Sequence, residues 1–334
     1  MKQKNRIKWV DVAKFFGIFA IYLGHMYMSA GKSYKFVFLF HVPLFFFLSG
    51  CMDYYDNEQN ILKYIYKKFK TIMIPFFVFS IIAITVYAIG YNSDLSEILN
   101  QFKFVIKGNI RDTFVPAGSL WFLSCLFVME VVFKLIKQLK YKISIIGCCI
   151  LMLIIYHSFL EGSGLYYNFD LVLRYIIYFG LGYITYPYIV SLFDLDKLWK
   201  KIVTGITAVL TLMYSLLLYN ESSIITKMTT SIPQGYAIMS VINAIAIIWL
   251  VLVISKICEN ISYFNKVGRE TLYLCGNEDI MKTLVPVLLG LFSLNVSLGT
   301  PLHAFIYAFI LLVINVEIVI PFEKRFTKTI LNKK

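Results

Sequence analysis

The chain has 334 residues, 59% of them hydrophobic and 17% aromatic, with a mean hydropathy of +0.73, which excludes a soluble globular protein of this length. Only 15% of residues are charged, yet the net charge is +13. The lysines sit in short clusters between long apolar runs, a layout that fits membrane topology and not nucleic-acid binding.

A bilayer core of about 30 Å needs roughly 20 mostly apolar residues per helix. On that rule the sequence predicts an all-α integral membrane protein, a single polytopic domain over 1–334. About ten transmembrane helices are expected, near 9–29, 35–52, 72–91, 119–137, 143–160, 171–190, 202–219, 236–254, 271–291 and 300–321. The opening MKQKNRIK and its apolar sequel imitate a signal peptide. Asp11 and Lys14 interrupt the run and no A-x-A site follows, so it reads as a retained first helix. With the N-terminus inside, the inner segments hold 23 Lys and Arg residues and the outer segments 6. That bias predicts cytoplasmic N- and C-termini and a multi-pass protein of the cell membrane, a bacterial plasma membrane by the resemblance given below. The longest outer loop, 92–118, has the composition of a short amphipathic helix. The six cysteines form no CxxC or Cys/His spacing, so neither disulfides nor a metal site is expected.

Ionisable residues inside spans are costly unless they face a cavity or a partner, so each is a candidate for function. In the first helix Lys14 and His25 are eleven residues apart. They point the same way within roughly 20° and are separated by about 16 Å along the axis. Asp11 lies one turn before Lys14, and the spacing predicts a local pair. The second span, FLFHVPLFFFLSG, places His41 at the depth of His25, so the two histidines are expected to share a site. Ser49-Gly50 allows a helix or ligand to approach closely at the inner end. Lys63, Lys67, Lys68 and Lys70 follow; they read either as positive-inside charge or as a dock for a phosphate-bearing ligand.

Glu130 interrupts the fourth span. Asp170 and Arg174 have the i,i+4 spacing of a structural ion pair. In TLYLCGNEDIMK, Glu278 and Lys282 are again i,i+4, beside Asn277 and Asp279, and need a wet cavity or mutual pairing. His157 and His303 read as interfacial.

WVDVAKFFGIFAIYLGH, then FLFHVPLFFFLSG, then a basic stretch ending in a proline, together resemble the membrane acyltransferase-3 family, as does SLWFLSCLF before the fourth helix. Within that family the chain is similar to short members that O-acylate surface carbohydrate. The resemblance implies an acyltransferase with ten helices, acetyl-CoA or another acyl-CoA as donor substrate, no permanently bound cofactor, and a surface or lipid-linked glycan as acceptor. It places the essential histidine at His25, a phosphate-binding cation at Lys14, the serine-glycine pair at Ser49 and Gly50, and the fourth-helix motif at Trp121 and Leu123. Lys14 stands where the family has arginine, keeping the charge and losing the bidentate fork. Asn277 stands near a late family histidine.

The expected mechanism holds the donor phosphates on Lys14, Lys67, Lys68 and Lys70 and brings the thioester to His25 and His41. One histidine then acts as general base on a sugar hydroxyl, a role suited to imidazole near neutral pH. Two other readings stay open: a glycan or lipid exporter or flippase, with the buried charges along its path, and a catalytically silent scaffold in a polysaccharide assembly complex.

Overall fold

The computed structural model describes residues 6–111, 116–139, 141–220, 233–291, 293 and 298–331, without the side chains of 233–236 and 326–331. Lys2, Lys4, Lys140, Lys227, Lys333 and Lys334 of the charge count lie outside the described residues. Among the described residues the chain is helical throughout and holds no strand.

In chain order the helices are α1 (Lys8–Gly24), α2 (Lys32–Phe38), α3 (His41–Asp53), α4 (Ile61–Tyr91), α5 (Leu95–Ile106), α6 (Trp121–Ile136) and α7 (Lys142–Leu160). They continue with α8 (Phe169–Phe193), α9 (Leu198–Asn220), α10 (Pro233–Ile257), α11 (Ser262–Arg269), α12 (Thr271–Leu291), α13 (Pro301–Ile314) and α14 (Ile320–Leu331). The amphipathic helix expected in the 92–118 loop is α5, capped by Asp94, whose side chain accepts from the Glu97 amide.

Among the described residues, eight helical stretches are long and apolar enough to cross a membrane, which leaves two of the ten expected spans outside that standard. The two remaining expected spans are helices, but each departs from that standard for a physical reason. Helix α1 has 17 residues, about 26 Å at 1.5 Å per residue, shorter than a hydrocarbon core. Helix α12 is long enough but holds Glu278, Asp279 and Lys282 near its middle. These two helices pack on each other and carry the site described below.

One end of the bundle is basic. Lys8 reaches Asn260, Arg6 and Arg269 flank Asp11, and Lys324 binds Glu270. Trp9 contacts both Tyr186 and Phe193, and Tyr186 bonds Tyr55 beside the Asp53–Lys137 pair. The lysine-rich connections therefore gather at one end, as the charge count requires.

Glycines set how closely the central helices approach. A Cβ on Gly50 would lie 2.0 Å from the Phe179 carbonyl, and one on Gly182 would lie 2.0 Å from the Phe47 carbonyl, so α3 and α8 cross backbone to backbone. On α3 this turns Phe47, Gly50 and Cys51 toward α8. It leaves Phe45, Ser49 and Met52 on the face that borders α1.

Candidate functional site

On α1, Lys14, Ile18, Ile21 and His25 follow the i, i+4, i+7, i+11 spacing of a single helical stripe. Lys14, Ile18 and Ile21 line a mostly apolar cavity of about 170 Å³ that is closed by Phe122 and Leu123 of α6 and Cys275 of α12. Lys14 also lines a second, polar cavity of about 310 Å³ at the basic end, with Asp53, Asp56, Lys67, Lys68 and Glu130. Lys14, Phe45 and Ser49 border both cavities. Three of the four residues of the stripe thus line cavities along one face of α1, and His25 lies beyond them.

His25 caps the C-terminus of α1, where its amide bonds the Ile21 carbonyl. Its Nδ1 lies 2.9 Å from Oε1 of Glu278, a carboxylate only 1% exposed, while the imidazole keeps 19% of its surface open. The contact is short but off the line of a hydrogen bond, and among the described residues no donor is aligned with either Glu278 oxygen. Lys282 Nζ stands 2.9 Å from the same Oε1 and 2.7 Å from Asp279. Asp279 in turn accepts from the amide and the hydroxyl of Ser119, both at 2.9 Å. The N-terminal approach to α6 is thereby pinned to α12.

Helix periodicity sorts the run in α12. Cys275, Glu278, Asp279 and Lys282 form one polar stripe toward α1 and α6. Asn277 faces away from His25, donating to Asn315 at 3.0 Å and to Glu323 at 3.1 Å, with Asn315 donating to Tyr22. The pairing of His25 with Glu278 and the role of Ser119 were not read from sequence. The i, i+3, i+4, i+7 polar stripe inside an otherwise apolar helix was the signal available.

His41 does not touch His25. Its Nδ1–H donates to the Val37 carbonyl at 2.6 Å, and Phe38 contacts both imidazoles, edge-on to His41 and tilted to His25. The ring is 4% exposed. Asp11 pairs with Arg6 at 2.8 Å and approaches Arg269 at 3.8 Å, not Lys14, because α11 brings its arginine beneath α1 where Gly268 packs on the Asp11 carbonyl. Among the described residues Lys14 has no ion-pair or hydrogen-bond partner. Arg174 likewise leaves Asp170: it lies over the rings of Tyr156 and Tyr175, while Asp170 accepts from the Leu165 amide.

The basic cluster divides. Lys67 pairs with Asp56 at 3.2 Å and Lys68 with Glu130 at 2.6 Å, both on the polar cavity. Burial pushes the Asp56 carboxyl up, but its bond from the Glu58 amide and the Lys67 ammonium hold it below its ordinary value. Lys70 lies over the Tyr66 ring, away from the cavity. Gly50 serves the helix crossing, Ser49 faces both cavities, and Trp121 opens α6 with Arg111 over its ring. Among the described residues no group of His, Cys, Asp and Glu side chains is placed to hold a metal.

The chain belongs to the acyltransferase 3 family, whose acyltransferase-domain model matches residues 7–320, nearly the whole chain. No curated protein matches it, and no solved structure does.

Proposed function

We propose that this member of the family is a membrane-bound O-acyltransferase that moves an acyl group, most simply acetyl, from a cytoplasmic acyl-CoA to a hydroxyl of an extracytoplasmic or lipid-linked carbohydrate. The observation that carries the reading is the His25–Glu278 contact at 2.9 Å, at the end of a stripe whose earlier residues line two adjoining cavities. Taking the basic end as cytoplasmic follows the positive-inside rule.

In this reading Nδ1 of His25 carries the proton toward Glu278, which leaves Nε2 to take the proton of the acceptor hydroxyl. The hydroxyl oxygen attacks the thioester carbonyl, the C–S bond breaks, and the proton passes from His25 to the departing thiolate. With a neutral imidazole, Glu278 and Asp279 against Lys282 leave one negative charge. The imidazolium formed during attack offsets it. Lys14, without a partner among the described residues where the cavities meet, is the strongest anchor for donor phosphate. Lys67 and Lys68 would exchange Asp56 and Glu130 for it. His41 supports the wall behind Phe38, and Lys70 stands outside this scheme.

The test is acyl-CoA-dependent acylation of a hydroxyl acceptor by the detergent-purified protein, in which no transport is measured. Wild type should form product and His25→Ala should form none, at equal yield of folded protein. Full activity in His25→Ala, or no transfer to any hydroxyl acceptor, would overturn the reading in favour of the alternative exporter.

A further inference from the structure

Beside His25, at the end of the bundle opposite the basic one, four rings close a circle. His25 faces Tyr27 at 6.3 Å and an interplanar angle of 27°, and Tyr27 contacts Tyr34 at 5.9 Å. Tyr34 meets Phe38 at 4.9 Å, and Phe38 returns to His25 at 6.4 Å. Tyr27 is 56% exposed and Phe38 is 45% exposed, so the cup is open above the imidazole. Aromatic residues that merely anchor a helix at the bilayer interface point outward singly. These instead turn toward one another and toward His25.

The backbone supports the same conclusion. Tyr27 sits at φ +48°, a left-handed conformation that is a genuine outlier for a bulky residue. Such outliers persist where the surroundings over-determine them, and they concentrate at ligand sites. The turn at Tyr27–Ala30 and the positive φ of Gly31, whose missing Cβ leaves room for Pro301, fold α2 back over the end of α1. Tyr34 and Phe38 then share one face of α2 at i,i+4 spacing, above His25.

We propose that Tyr27, Tyr34 and Phe38 form the acceptor subsite, stacking on the C–H face of a pyranose ring so that one of its hydroxyls meets the open edge of His25. The electron-rich faces of the rings match the electropositive axial C–H bonds of a pyranose. An acyclic polyol presents no such face. The inference rests on the acyl-transfer reading above and adds the residues that hold the acceptor and the cyclic form they select.

The experiment uses the full chain in detergent with acetyl-CoA as donor. The acceptors are methyl pyranosides of glucose, galactose and N-acetylglucosamine, compared with glycerol. Wild type should prefer at least one pyranoside over glycerol by about tenfold or more in kcat/KM, equivalent to about 1.4 kcal/mol. Tyr27→Gly removes the ring while suiting the left-handed backbone, and Phe38→Ala removes the facing ring. Each should bring the pyranoside-to-glycerol ratio toward one through a higher pyranoside KM, whereas Phe38→Tyr should hold the ratio. An unchanged pyranoside KM in Tyr27→Gly, equal losses on glycerol and pyranosides, or a wild type that acylates glycerol but no pyranoside would overturn the subsite. A wild type that acylates nothing would instead remove the acyl-transfer reading on which the subsite rests.

Discussion

Replacing Glu278 by glutamine tests the core of the proposed chemistry, because it keeps the side chain's size and removes the charge beside His25. At 2.9 Å, a full imidazolium–carboxylate pair is worth about 6 kcal/mol at an effective dielectric near 20. Lys282, 2.9 Å from the same oxygen, already draws on that field, and glutamine retains a dipole. About 3–4 kcal/mol of transition-state stabilisation is then lost, or roughly 10²–10³ in kcat. Donor KM should stay near its wild-type value, since Glu278 does not line either cavity. Lys282 keeps Asp279 at 2.7 Å and Asp279 keeps Ser119, so the folded yield and Tm in detergent should change little. The assay is chromatographic release of CoA under saturating donor and acceptor. A kcat within about threefold of wild type would refute the general-base assignment. So would a loss matched by an equal loss of folded protein.

Lys14→Met should raise the donor KM by about tenfold or more, the loss of one charge-assisted phosphate contact, with Lys14→Arg restoring it; titration of the donor at fixed acceptor checks this. Gly50→Ala should lower Tm in detergent by the equivalent of about 1–3 kcal/mol or more, since its Cβ would press on the Phe179 carbonyl at 2.0 Å. Ser49→Ala, one residue earlier and facing open space, should not. Because the Asp56 carboxyl is held below its ordinary value, the unfolded chain binds the extra proton in acid. Its stabilisation is complete above about pH 4 and is lost as pH falls through the lowered folded value. Thermal unfolding between about pH 3 and 6 should show a shallower acid decline in Asp56→Asn than in wild type.

Much of the architecture was legible because the bilayer imposes a simple constraint: about 20 apolar residues per crossing, with lysines left on one side. The long apolar helices, the gathered basic end and the amphipathic α5 all follow from composition and period. The Lys14–His25 stripe was also readable, since α-helical geometry alone places residues 14, 18, 21 and 25 on one face. Short-range electrostatic expectations fared less well. Asp11 and Asp170 each have a cation one turn away, and neither pairs with it, because Arg6 before α1 and Arg269 from α11 claim one and a turn amide claims the other. Two spans also fell short of the rule for a crossing, α1 by its length of 17 residues and α12 by the charges it carries for the site.

The sequence by itself therefore determined the class, the helices and the faces on which lysine and histidine lie, because those depend on interactions within a few turns of one chain segment. The tertiary structure alone decided that Glu278 meets His25 across 253 residues of sequence, that Phe38 contacts both histidines, and that Lys14 is left unpartnered among the described residues between two cavities. The physical reason is that a buried charge takes its partner from whichever helix packing brings within about 4 Å. For Asp11 that choice is made by the close packing of Gly268 on its carbonyl, which brings Arg269 near, not by spacing along the chain.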